Sequence, residues 1–224
     1  IIQFGFDVTL LKENKTYLII QIMSSFVIAF TAFFVRYMFE QFGKIKCLCV
    51  EDTEKMSNLL ESDYELIRRL QTFSANLFIH SMRVSVMSMR VSQKMGYNSL
   101  LAKAGGMYHE IGRIKKEENY VEATNDIAYA YDFPKCLTDL ILQVCDKDEK
   151  PESREAMVVM LSDSIVSMIE YFEKNTDKSR PSKEKLIESV FANRQKKGNF
   201  DNCDISEKEI EGIKETYKNI NMDF

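Results

Sequence analysis

The pattern of apolar and polar positions divides the chain into two unlike parts. From Thr16 to Val35 no residue is charged, and the run Y-L-I-I-Q-I-M-S-S-F-V-I-A-F-T-A-F-F-V is interrupted only by Gln21, Ser24, Ser25 and Thr31. About twenty apolar helical residues reach across the ~30 Å hydrocarbon core of a bilayer, so the pattern predicts a transmembrane helix over 17–39. A buried helix or an uncleaved signal peptide gives a similar run, but this one is too long for a signal core and lacks an obvious cleavage site. Arg36, Lys44 and Lys46 follow the run and Lys12 and Lys15 precede it, which favours a cytoplasmic C-terminal side. Residues 1–16 read as the remnant of an upstream membrane region. Residues 40–62 read as a polar juxtamembrane linker, with Cys47-Leu48-Cys49 inside it.

From residue 63 the period changes to that of amphipathic helices. Leu77, His80, Val84, Met87, Val91 and Met95 recur every three to four residues and define one buried stripe, stopped by Gly96-Tyr97-Asn98. A second helix is expected from Ser99 to about Ile111, ended by Gly112, and a third from Val121 to Tyr131. Pro134 opens a fourth that runs to Cys145. The fifth, E-A-M-V-V-M-L-S-D-S-I-V-S-M-I, carries Asp163 inside an apolar run. Two amphipathic helices follow, the last introduced by Ser206 with Glu209 in capping-box spacing. The expected fold is all-α, a multi-helix domain over 63–224 preceded by one transmembrane helix.

Composition adjusts this picture in three places. Only 3 prolines and 8 glycines among 224 residues agree with a helical chain. A net charge of -4 gives no reason to expect a nucleic-acid polymer as partner. The 5 cysteines are scattered and odd in number, so they form no disulfide framework and suit a reducing cytoplasm. The chain begins at Ile1, which reads as a fragment or processed product.

The chemistry-bearing residues are few. The 2 histidines, His80 and His109, both fall in the first helix pair, and His109 is followed at once by Glu110. Imidazole with carboxylate is a ligand set for divalent transition metals. A helix pair with one satisfied core histidine and one solvated one is the plainer reading of the same residues. Asp163 in an apolar helix needs a cation, a metal or several hydrogen bonds. A serine or a helix N-terminus would also satisfy it. There is no phosphate-cradling glycine loop and no local Ser-His-Asp or Cys-His arrangement.

The order His80, His109-Glu110, Asp163 resembles the H…HD…D pattern of the HD metal-dependent phosphohydrolase superfamily. The segments L-L-E-S-D-Y-E-L-I-R-R-L (59–70), Y-H-E-I-G-R-I-K-K (108–116), Y-D-F-P (131–134), M-L-S-D-S-I (160–165) and G-N-F-D-N-C-D-I-S-E-K-E-I (198–210) are similar to its seven-transmembrane branch. In that branch a membrane region precedes a cytoplasmic HD domain that hydrolyses cyclic di-AMP with two metal ions. The resemblance implies His80, His109, Glu110 and Asp163 as metal ligands, with Glu110 and Asp163 catalytic if the domain is active. It also implies that three family histidines are replaced by Tyr120, Val144 and Cys145, that the HD aspartate is Glu110, and that the lysine after the glycine is Arg113.

Two metals would become one, manganese or iron, because Tyr and Val cannot stand in for neutral imidazole and Cys145 favours softer ions. The resulting expectation is a membrane-anchored, catalytically degenerate family member that binds a cyclic dinucleotide as a sensory module. The alternative is an active single-metal phosphodiesterase using metal-activated water. Arg113, Lys115 and Lys116 are candidate phosphate contacts in the second reading, or a solvated helix end in the first. A third reading makes the domain a metal-free scaffold for dimer or partner contacts.

Overall fold

The computed structural model describes residues 15–44, 50–146, 150–175, 179 and 181–221. Expectations for residues 1–14 and for Cys47-Leu48-Cys49 lie outside them. Among the described residues there are ten α-helices, one 3-10 helix and no strand. The chain separates into two compact units, Ile1–Leu48 and Cys49–Phe224.

The first unit holds α1 (Lys15–Lys44). Its described side chains, 21–36, are exposed, among them Phe26, Phe30 and Phe33. Among the described residues no helix is long and apolar enough to cross a membrane. The residues of the expected span over 17–39 are helical. Ser24 and Ser25 donate to the Gln21 carbonyl at 2.8 and 2.9 Å, and Thr31 donates to that of Ile28 at 2.9 Å, so each hydroxyl is satisfied within the helix.

The second unit begins earlier than the sequence suggests. Residues expected to be a linker form α2 (Val50–Leu59), with Met56 and Leu59 buried, and the Leu59 carbonyl accepts a short hydrogen bond from the Tyr108 hydroxyl. The helices α3 (Glu65–Phe73), α4 (Ala75–Met95) and α5 (Ser99–Tyr108) follow, each set by its local sequence. Ser74 caps α4 by accepting from the Leu77 amide, and Gly96 ends it in the left-handed conformation at φ 73°. Asn98 then caps α5, accepting from the Leu101 amide at 3.0 Å.

Helix α5 stops at Tyr108 rather than Ile111, and a 3-10 helix (Ile111–Lys115) takes over. Gly112 sits within that turn instead of ending α5. A Cβ there would lie 2.6 Å from the Tyr120 carbonyl oxygen, so the glycine permits close approach to the next helix. The remaining elements are α6 (Tyr120–Ala130), α7 (Lys135–Cys145), α8 (Arg154–Lys174), α9 (Lys183–Lys196) and α10 (Glu207–Asn219).

Helix α8 is the axis of the unit. It packs against α4, α5, α7 and α9, and it buries Met157, Val158, Val159, Leu161, Ile165 and Val166. Each buried Leu, Ile, Val or Met of that set contributes roughly 1.5–3 kcal/mol against the entropy of ordering the chain. Helices α4 and α5 cross closely because Gly106 faces the α4 backbone, where a Cβ would lie 2.6 Å from the Cα of Ser85. This close crossing fixes the depth at which His80 of α4 and His109, just past α5, meet.

Candidate metal centre

Three helix-borne groups converge. His80, on the buried stripe of α4, points its ring at α8, where its Nε2 lies 3.1 Å from Asp163 Oδ1. Its Nδ1 lies 3.2 Å from Glu170 Oε2, two turns farther along α8. His109 occupies the C-cap position of α5, and its Nδ1 donates to the Gly106 carbonyl at 2.9 Å. That leaves His109 Nε2 buried, with no hydrogen-bond partner and 3.7 Å from Asp163 Oδ1. The two rings stand 5.5 Å apart, tilted by 44°. Ligand atoms of His80, His109 and Glu110 lie within 4.8 Å of one another.

The hydrogen bonds fix the protonation states. A carbonyl and a carboxylate can only accept, so both Nδ1 atoms carry hydrogen. Two Nε2 atoms therefore face one carboxylate. If both were bare lone pairs, three electron-rich groups would meet without compensation. The focus calls for a cation, either a proton on His80 or a metal ion. Burial opposes a charged His80, but Asp163, then Glu110 and Glu170, outweigh it and raise the imidazole pKa. Burial would likewise raise the carboxyl of Asp163, yet His109 and His80 hold it well below the usual carboxylate range. Asp163 is thus ionised at any physiological pH. Glu170 and the Gly106 carbonyl orient the two rings in the manner of second partners to metal-bound histidines. The ligand atoms of His80, His109 and Glu110 lie close enough together to hold one metal ion, with the Asp163 carboxylate beside both imidazoles.

Glu110 also pairs with Arg113, at 2.5 Å. Its carboxylate is therefore shared between the focus and a neighbouring cation.

A cleft of about 770 Å³ opens beside this focus, lined by His109, Glu110, Asp163, Arg113, Tyr120, Val144, Cys145 and, from later in the chain, Lys150, Arg194, Lys197 and Asn199. Tyr120, Val144 and Cys145 all reach it, but none is an available ligand. The Tyr120 hydroxyl donates to the His109 carbonyl at 3.2 Å, and burial raises its pKa, so the phenol stays neutral. Burial also pushes the Cys145 thiol up to about 11. Val144 has no donor atom.

Of the basic residues expected at the site, the structure brings Arg113 to the cleft. Lys115 instead pairs with Asp126 at 2.8 Å and Glu117 at 3.6 Å. Lys116 stands with its ammonium 5.6 Å from the Phe73 ring centroid. Neither lines the cleft. Glu170, Lys150, Arg194, Lys197 and Asn199 escaped the sequence reading. The spacing Asp163 to Glu170, seven residues on one helix, is a signal that could have found Glu170. The others come from loops and a helix end, where no periodicity points to them.

Residues 77–168 match the HD domain family. Over that stretch the chain is similar to the HD superfamily. It is similar to the cyclic-di-AMP phosphodiesterase PgpH of Bacillus subtilis (strain 168), 22% identical over 216 residues that cover 73% of this chain and 30% of that protein. It is also similar to ribonuclease Y of the Aster yellows witches'-broom phytoplasma, 29% identical over 99 residues, 43% of this chain and 19% of the relative. The crystal structure of the Listeria monocytogenes PgpH HD domain in complex with cyclic-di-AMP shares its fold, with a TM-score of 0.59 and 20% identity over 69% of this chain and 93% of that one. The chain spans about a third or less of the length of these curated relatives. The HD match contains α4, α5, α6, α7 and most of α8, and with them His80, His109, Glu110 and Asp163.

Proposed function

We propose that this HD domain binds a cyclic dinucleotide of the cyclic di-AMP class in the 770 Å³ cleft, on one divalent ion, as the sensory or binding module of a degenerate phosphodiesterase-family protein. One observation carries the reading. The Asp163 carboxylate, which lines the cleft with His109 and Glu110, is met from within the protein by the Nε2 atoms of His80 and His109, while the positions that would complete a second metal site, Tyr120, Val144 and Cys145, offer no ligand there. A bound ion would supply Lewis acidity and lower the pKa of a coordinated water. The chain's own residues do the rest. Gly106 and Glu170 hold the imidazole tautomers, Asp163 stays ionised, and Tyr120 closes the side of the cleft nearest the His109 backbone.

The likeness to PgpH, and the cyclic-di-AMP bound by the Listeria domain, support the ligand class. The exposed apolar side chains of α1, from Ile22 to Val35, support attachment of residues 17–39 to a membrane, with the HD domain on the cytoplasmic side. The second reading, an active single-metal phosphodiesterase with Glu110 and Asp163 as catalytic ligands, draws on the same convergent set, because one ion can still polarise a phosphate.

Metal content and turnover separate the two. The full chain, purified without chelator, is expected to hold close to one manganese or iron per molecule. Asp163→Ala and Asp163→Asn should lose it. Cyclic di-AMP should bind the loaded protein and remain intact. Hydrolysis that disappears in the Asp163 variants would overturn the degenerate reading in favour of the second. Absence of any metal from the wild type would leave a metal-free scaffold.

A further inference from the structure

The wall of the cleft away from the histidines carries three cations, Lys150, Arg194 and Lys197, with Asp146 also in the lining. Arg194 and Lys197 belong to the end of α9. Gly198, in the left-handed conformation at φ 67°, turns the chain so that Asn199 comes back into the cleft. Lys150 arrives from the segment before α8 and packs on this turn, where a Cβ on Gly198 would lie 2.9 Å from its Nζ.

The state of each group points outward to a ligand. Arg194 is largely removed from water, and its Nε and one terminal nitrogen donate to the Ser164 hydroxyl at 3.0 and 2.6 Å. A guanidinium has five donors, so the hydroxyl leaves three, and the Asp163 carboxylate acts on it electrostatically without a direct ion pair. Lys197 has no ion pair among the described residues. Lys150 pairs with the exposed Asp201 at 3.1 Å, a contact that water weakens and an anion can replace. Asn199 is 8% exposed, and its Oδ1 is buried with no hydrogen-bond partner. A buried acceptor left open is costly, and a donor on a bound molecule would recover that cost. The C-terminal dipole of α9 accounts for cations near its end, but not for a buried, unpaired Asn199 oxygen beside them.

We infer that Lys150, Arg194, Lys197 and Asn199 form a phosphate subsite that holds a phosphodiester or diphosphate anion without help from the metal, with the Asn199 carbonyl accepting from a hydroxyl or amino group next to that phosphate. The inference takes its ligand class from the nucleotide proposed above, but it places the anchoring charge on protein cations. In a domain with ligands for one ion, this wall supplies positive charge that a second ion would otherwise contribute. Binding is then separable from metal loading.

The test is calorimetric titration of the full chain in excess EDTA with inorganic pyrophosphate and, separately, with cyclic di-AMP. Both should bind, more weakly as salt rises. Lys197→Ala and Arg194→Lys should each weaken both by about ten-fold or more, because a charge-assisted hydrogen bond is worth about 1.5–3 kcal/mol. Lys135→Ala, at an exposed lysine of α7 paired within its own helix, should change neither. Thermal unfolding of each variant confirms that it is folded. Pyrophosphate binding that needs added manganese, or that survives both substitutions, would overturn the subsite while leaving the metal-dependent reading intact. Pyrophosphate bound through these residues with no binding of cyclic di-AMP would keep the subsite and remove the nucleotide from the proposed function.

Discussion

At the scale of single residues, the functional question reduces to what sits between two imidazoles and a carboxylate. In the absence of metal, Asp163, Glu110 and Glu170 favour a proton on His80 against the cost of its burial. The raised pKa of His80 means that its contribution to stability is complete below its ordinary value near 6.5 and is lost as pH rises through the folded value. The lowered pKa of Asp163 has the opposite sense. Its contribution is complete above the ordinary carboxylate range near 4 and is lost as pH falls toward the folded value. Chelator-treated protein should therefore gain most from this pair between about pH 4 and 6.5. Thermal unfolding across pH in EDTA would show a decline on the alkaline side that His80→Ala removes. A decline equally steep in that variant would place its origin elsewhere. An added divalent ion takes the same position as the proton, so loading should release protons and strengthen as pH rises.

At the scale of elements, the site depends on how closely two helices approach. Gly106 serves twice, because its missing side chain lets α5 meet the Ser85 backbone of α4 and its carbonyl receives the His109 Nδ1–H. Gly106→Ala forces a methyl against backbone that cannot step aside. It is expected to cost about 1–3 kcal/mol, measured as a lower urea midpoint with an unchanged slope. It should also weaken metal binding, because spreading the helices separates His80 from His109. Unaltered stability would mean that α5 slides without penalty. The stop at Gly96 and the apolar stripe of α4 are legible in the sequence, since each depends on neighbours within a turn. The end of α5 was not. His109 and Glu110 leave the helix before Gly112, and what holds the 3-10 turn there is its packing against α6, the next helix, which a reading of one turn at a time does not register. The capping box at Ser206 is met by half. Its hydroxyl accepts from the Glu209 amide at 3.2 Å, but the Glu209 carboxylate turns away to Tyr97 and Arg154, at 2.6 and 2.7 Å.

At the scale of the second unit, α10 packs against α4 and α9 and ties them to α8 through Tyr217. Tyr217 is fully buried, donates to the Val158 carbonyl at 2.8 Å, accepts from the Ser162 hydroxyl at 2.8 Å and packs edge-on to Phe191. Tyr217→Phe keeps the packing and removes both bonds. About 1–2 kcal/mol of stability should be lost, with unfolding still a single transition. A loss confined to α10, seen as early amide exchange there alone, would show that this helix is not part of the cooperative unit.

The sequence by itself determined the helical class, most helix positions and the HD resemblance, and it singled out His80, His109, Glu110 and Asp163 as candidates, because periodicity, helix stops and a rare residue type are written locally. It assigned residues 50–59 to a linker, since a short polar helix with two core contacts looks no different from a loop until its partner, α5, is in place. Only the tertiary structure decided which cations face the cleft, that Glu170 orients His80, and that Asn199 keeps an open acceptor. Those facts depend on side chains more than fifty residues apart meeting in one space, and that meeting follows from how α4, α5, α8 and α9 pack, which local pattern does not encode.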